Sequence, residues 1–148
     1  MISSIVVGTD GSETAGKAVQ EAADLASQVG AAMEIVSAYA PVSNQRLREE
    51  ARQVPEDIQW QVTPREDVDA MLSEAEEAVQ SAGVKSVHTH AREGDPADAI
   101  LDVAEERGSD LIVVGNKGMS GAKRFLLGSV PNKVSHHAPC SVLIVRTT

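Results

Sequence analysis

Three glycines and a serine near the end of the chain carry the strongest chemical signal in the sequence. In LIVVGNKGMSGAKRFLLGSV, residues 111–130, an apolar run stops at Gly115, and Gly118 and Gly128 punctuate the polar stretch that follows. Ser129 comes next and opens a short helical pattern. Glycine lets backbone amides approach a ligand with no Cβ in the way. A helix start adds unpaired N–H groups and about half a positive charge. A buried strand, a glycine loop and a helix N-terminus in that order form an anion cradle, and the expected ligand is the phosphate end of a nucleotide. Lys117, Lys123 and Arg124 bring positive charge to the same loop in an otherwise acidic chain. Ser129 suits two jobs at one position, a helix N-cap and a hydroxyl donor to a phosphate oxygen. The plain alternative is a surface loop with glycine turns.

A second candidate lies near the start. The apolar run SIVVGT at 4–9 ends in Asp10, Gly11 and Ser12. A carboxylate at a strand end accepts hydrogen bonds from a ribose or a base. Asp10 also suits a helix N-cap, with Glu13 three residues on as a loose capping box, and the two roles are compatible. Other spacings argue against specific chemistries. The loop lacks the G-x-x-x-x-G-K-[ST] of a P-loop, and no G-x-G-x-x-G follows the first strand. HExxH, CxxC and G-x-S-x-G are all missing, and no Ser, His and Asp arrangement stands out by spacing, so a dedicated hydrolase is not expected. His88 and His90 lie two apart on a strand and face one side. With no third ligand nearby, a solvated face is expected in preference to a metal site. His136 and His137 end the last helical pattern, where cations suit the dipole. Cys140, the single cysteine, precedes an apolar strand and is expected to pack rather than react.

These residues need strands and helices to hold them. From Ser12 to Val29, residues such as Ala15, Ala18, Val19, Ala22 and Ala26 recur at three- and four-residue spacings, an amphipathic helix that Gly30 closes. Residues 32–38 read as a second strand and complete a βαβ unit with a right-handed crossover. Val68, Met71, Leu72, Ala75 and Val79 predict a helix over 65–82, ended by Gly83. Residues 85–91 predict a third strand, polar enough for a place near an edge. Asp95 and Pro96 start a third helix, with proline at the first position where a missing N–H costs nothing, and Gly108 ends it. Leu111–Gly115 is the fourth strand, 129–136 the fourth helix and Ser141–Val145 the fifth strand. Residues 39–64, bracketed by Pro41, Pro55 and Pro64, are expected to form a functional lid or a mobile excursion. Strands alternating with helices predict an α/β fold, a single-domain open parallel sheet with helices on both faces, Rossmann-like. In such sheets ligands bind beyond the carboxyl ends of the strands, where the strand order reverses. Thr9 with Asp10, Ala38 with Tyr39, and the loop from Gly115 onward would meet there.

Composition narrows the function. At 148 residues the chain suits one domain that buries about two-thirds of its unfolded surface. Tyr39, Trp60 and Phe125 are the only aromatic residues, so the core must be aliphatic. Acidic side chains outnumber basic ones 22 to 13, a formal charge of −9 that disfavours nucleic-acid binding. One cysteine permits no intrachain disulfide and suits a reducing compartment. No apolar run approaches the ~18 residues of a membrane span. The start shows no basic segment followed by a long apolar one, so no signal peptide is expected and the expected location is the cytoplasm.

The segments VVGTDGS at 6–12, VVGNKGMSGAKRFLLGSV at 113–130 and SVLIVRTT at 141–148 resemble the universal stress protein family, and the resemblance runs along the whole chain. Its most specific element is G-x-x-G-x9-G-[ST], matched by Gly115, Gly118, Gly128 and Ser129. That pattern marks the nucleotide-binding branch of the family. The resemblance implies one universal stress protein domain over 1–148, a five-stranded parallel sheet in the order 3-2-1-4-5, and a homodimer in which the last strand, Ser141–Val145, pairs with its mate. It implies a bound adenine nucleotide, ATP or cyclic AMP, with Mg2+ accompanying ATP. Thr9, Asp10 and the backbone of Ala38 would hold the adenine and ribose end. Gly115, Asn116, Gly118, Gly128, Ser129 and Val130 would hold ribose and phosphates. The implied role is stress response or signalling without efficient turnover. The alternatives are a slow ATPase with Arg124 as charge stabiliser, or an adenylating enzyme of the wider nucleotide-hydrolase-like superfamily. The latter would carry S-G-G-x-D-S after its first strand, where this chain has G-T-D-G-S. A receiver-like switch with Asp10 as phosphate acceptor would need an acidic pair at that strand and a lysine ending the last one; neither is present. The SAY-x-P turn at 37–41 with LLGSVP at 126–131 looks most like actinobacterial members, some of which bind cyclic AMP. Pro131 departs from many members, where a small non-proline residue is usual. Proline deletes one amide donor, which suits a single cyclic phosphate better than a triphosphate.

Overall fold

The computed structural model describes residues 1–39, 65–116 and 127–147. One parallel sheet is formed by β1 (Ser4–Gly8), β2 (Ala32–Tyr39), β3 (Val87–Glu93), β4 (Leu111–Gly115) and β5 (Ser141–Val145), in the order β3-β2-β1-β4-β5. Helices α1 (Glu13–Val29), α2 (Arg65–Ser81), α3 (Pro96–Arg107) and α4 (Ser129–His137) cover its two faces. The expected α/β class, strand order and helix placement hold. Gly118, the loop cations Lys117, Lys123 and Arg124, and the excursion from 40 to 64 lie outside the described residues.

The side-chain period of two divides each central strand between two cores. Ile5 and Val7 of β1, Met33 and Ile35 of β2 and Val113 of β4 pack with α1 and α2. Val6, Val36, Ile112 and Val114 point the other way, into the cluster of α3 and α4. A strand covered on both sides needs an apolar residue at nearly every position, which is why these runs do not alternate. Each fully buried Ile or Val contributes about 1.5–3 kcal/mol. Among the described residues the fully buried core is without aromatic side chains, and Tyr39 packs at its margin.

The helix ends follow local chemistry. The Ser12 hydroxyl caps α1 by accepting the Ala15 N–H at 3.1 Å, and the Asp95 carboxylate caps α3 by accepting the Asp98 N–H at 3.0 Å, with Pro96 in the first turn. Gly30 and Gly108 close α1 and α3 in the left-handed conformation. β3 occupies one edge, as its polarity predicts, but starts two residues later than the pattern suggested. Val84 is buried under the turn through Gly83, and the first bond to β2 runs from the Met33 N–H to the Ser86 carbonyl at 2.9 Å.

Candidate functional site

β1 ends before its neighbours do. Its ladder to β2 stops at Gly8 opposite Val36, and its ladder to β4 at Val7 opposite Val113. One further bond, from the Thr9 N–H to the Val36 carbonyl at 2.9 Å, closes it. β2 continues through Ala38 to Tyr39, and β4 through Val114 to Gly115. β1 therefore stops short between its neighbours where the strand order reverses, with the end of β2 at Ala38 on one side and the end of β4 at Gly115 on the other.

Asp10 stands in the turn between the end of β1 and the start of α1. Its Oδ1 accepts the Ser12 N–H at 2.9 Å, while Ser12, not Asp10, is the N-cap of α1. The helix-cap reading of Asp10 is thereby overturned, because the cap must sit one residue before the first helical turn and Ser12 holds that place. Oδ2 of Asp10 is buried and has no hydrogen-bond partner among the described residues. A buried carboxylate oxygen left unpaired is costly, so it stands ready for a donor. Gly11 makes the turn possible: its φ is 79°, and a Cβ there would collide with the Met71 sulfur. The Thr9 hydroxyl accepts the Gly11 N–H at 3.1 Å and so fixes the same turn.

The opposite wall is the start of α4. Gly128 is its N-cap and offers no side-chain acceptor; Ser129 is the first helical residue and is exposed. The N-cap reading of Ser129 is corrected by one position. The amides of Ser129 and Val130 occupy the first turn, where a helix supplies no internal acceptor. Pro131, buried in the same turn, has no N–H to give. The Gly128 N–H is committed to the Asn116 carbonyl at 2.8 Å. Asn116 donates its own N–H to the Val145 carbonyl at 2.9 Å, and its Oδ1 accepts from Thr147. Thr9, Asp10, Ala38, Gly115, Asn116, Gly128, Ser129 and Val130 thus all stand at the carboxyl end of the sheet.

Two features escaped the sequence. Glu34, on β2, is 1% exposed. His88 Nδ1 lies 2.8 Å from its Oε2, and His90 Nε2 and Arg107 Nε lie 3.1 and 2.7 Å from its Oε1. His88 and His90 do share a face, and on it both clamp a buried carboxylate; the expected solvated face holds for His88, 47% exposed, but not for His90, 15% exposed. The signal was a lone acid inside the apolar run AMEIVSA; its partners required the register Glu34 opposite His88. Thr147, 5% exposed, carried no sequence signal at all. Cys140 behaves as expected. Burial first, and Asp110 second, push its thiol up, which keeps it protonated among its apolar neighbours.

The sequence profile of the universal stress protein family matches residues 1–146. A universal stress protein of Mycobacterium tuberculosis is 41% identical over 144 residues, covering 97% of this chain and 96% of that one. The crystal structure of a universal stress protein in complex with cAMP superposes with a TM-score of 0.74 at 33% identity, covering 99% of this chain and 98% of the other. The universal stress protein from Archaeoglobus fulgidus in complex with dAMP superposes with a TM-score of 0.65 at 26% identity, covering 99% and 100%. Among the described residues no helix is long and apolar enough to cross a membrane.

Proposed function

The chain belongs to the universal stress protein family, and from that premise we propose that it binds an adenine nucleotide in the crevice over β1. In this reading it acts as a cytoplasmic stress-response or signalling homodimer without efficient turnover. The observation that carries the reading is the buried Oδ2 of Asp10, without a partner among the described residues, at the same end of the sheet as a helix start that no side chain caps. A ribose or base donor would satisfy the carboxylate; a phosphate would satisfy the amides of Ser129 and Val130. Thr9 shapes the Asp10 turn, the backbone of Ala38 borders the base, and Gly115, Asn116, Gly118 and Gly128 complete the cradle. Two solved relatives carry cAMP and dAMP, which supports the adenine class.

Donor number bears on which nucleotide. With Pro131 lacking an N–H and the Gly128 N–H used by Asn116, the first turn of α4 offers two amides. Two donors match one phosphate better than three, so cyclic AMP or AMP is expected to bind more tightly than ATP with Mg2+. Turnover is not part of the reading, because the loop has no Walker lysine and no evident general base. Dimerisation is assigned to β5, an edge strand on which Leu143 is 40% and Ile144 37% exposed.

Calorimetric titration with ATP, ADP, AMP and cyclic AMP tests the reading. Absence of heat from all four at millimolar concentration sinks it. Unchanged affinity in both Gly128→Ala and Ser129→Ala would leave the function standing and remove the site. A monomer in sedimentation equilibrium would exclude assembly through β5.

A further inference from the structure

The residues after β5 cross to the site. The Thr147 N–H and hydroxyl both donate to Asn116 Oδ1, at 2.8 and 3.1 Å. Lys17 Nζ, on α1, donates to the Thr147 carbonyl at 3.4 Å. Two donors on one side-chain oxygen fix which way the Asn116 amide faces, since a flip would set its NH2 against them. The backbone of the same residue joins the end of β5, through the Val145 carbonyl, to the N-cap of α4, through the Gly128 N–H. One asparagine therefore bridges β4, β5 and α4, and Thr147 holds it from a position that is 5% exposed.

We propose that Thr147 is a positioning residue of the nucleotide site. By holding the Asn116 amide it sets where Gly128, and hence the amides of Ser129 and Val130, stand relative to Gly115. It thereby links the β5 edge to the anion half of the crevice. This rests on the nucleotide-binding reading above. The effect must fall on the phosphate end, because Asp10 and Ala38 are held by β1 and β2 instead. A small polar residue two positions beyond the last strand thus regulates a ligand it does not touch.

The test compares Thr147→Val, which removes the hydroxyl at nearly constant shape, Thr147→Pro, which also removes the N–H, and Thr147→Ser, which restores both donors. In the full-length protein, affinity for cyclic AMP and ATP should weaken by about 2- to 10-fold in Thr147→Val and further in Thr147→Pro. Adenosine affinity should stay constant, and Thr147→Ser should restore the wild-type value. In the unliganded protein, hydrogen exchange at the Gly128 amide should speed up in the same order. Wild-type nucleotide affinity and Gly128 exchange in Thr147→Pro overturn the proposal, and so do proportional losses for adenosine and nucleotides. A wild-type protein that binds none of the probes overturns the proposed function itself; a binding wild type with unaffected variants overturns the Thr147 role alone.

Discussion

At the amino end of the sheet the buried and half-buried acids are saturated. Glu34 receives His88, His90 and Arg107, and Asp110 Oδ2 receives the Ser3 N–H and hydroxyl at 2.8 Å each and the Ser4 N–H at 3.0 Å. The Ser4 and Ser109 hydroxyls meet at 3.0 Å beside them. At the carboxyl end the balance is reversed. Asp10 Oδ2 is buried without a partner among the described residues, and α4 begins on a glycine with no side chain to cap it. Both ends belong to one sheet and use the same kinds of residue. The difference shows where the fold stabilises itself and where it leaves hydrogen-bonding capacity open for something else. A polar group that folding satisfies adds stability; one that folding leaves unsatisfied costs stability until a ligand arrives.

That contrast can be broken by substitution at each end. Asp10→Ala should produce the largest change, a loss of roughly 10- to 100-fold in nucleotide affinity, from a charge-assisted hydrogen bond of about 1.5–3 kcal/mol. Its melting temperature should change little, because removing the unpaired Oδ2 offsets the loss of the Oδ1 acceptor for the Ser12 N–H. Arg107→Ala should do the opposite. It takes a donor from buried Glu34, and with the Arg107 side chain 45% exposed the loss is about 1 kcal/mol, or about 2–4 °C in melting temperature for a chain of this size. Nucleotide affinity should not move. If calorimetry finds Arg107→Ala weakening the nucleotide as much as Asp10→Ala does, the division between the ends fails.

The smallest effect concerns acid. Hydrogen bonds from the Ser3 N–H, the Ser3 hydroxyl and the Ser4 N–H hold the Asp110 carboxyl below its usual range. The folded value is depressed, so this stabilisation is complete above the unfolded value of about 3.9 and is lost as the pH falls through the folded one. Asp110→Asn should be slightly less stable at neutral pH and should decline less steeply in acid. Denaturant midpoints collected from neutrality down to pH ~3 would show it; parallel curves for the two proteins would place the acid sensitivity elsewhere.

Much of the fold is written locally. Apolar runs without alternation mark β1, β2 and β4 as covered on both faces, and the polarity of β3 places it at an edge. Helical spacing, Pro96 and the closing glycines mark the helices, because periodicity and capping are decided by neighbours a few residues apart. Gly115, Gly128, Ser129 and Asp10 were legible for the same reason: their chemistry is tied to strand ends and helix starts. Register and crossing distance were not legible. Which helix residue caps depends on one turn, so the capping role open to Asp10 and to Ser129 in the sequence falls to Ser12 and Gly128. Glu34 finds its partners 54, 56 and 73 residues away, and Thr147 reaches Asn116 across 31. Such contacts exist only once parallel strands are in register, and no local pattern encodes them. The type and order of the elements, and the glycines at the end of β4 and the start of α4, were set by the sequence itself. Tertiary structure alone decided which polar groups are satisfied, since a hydrogen bond depends on where its partner is brought.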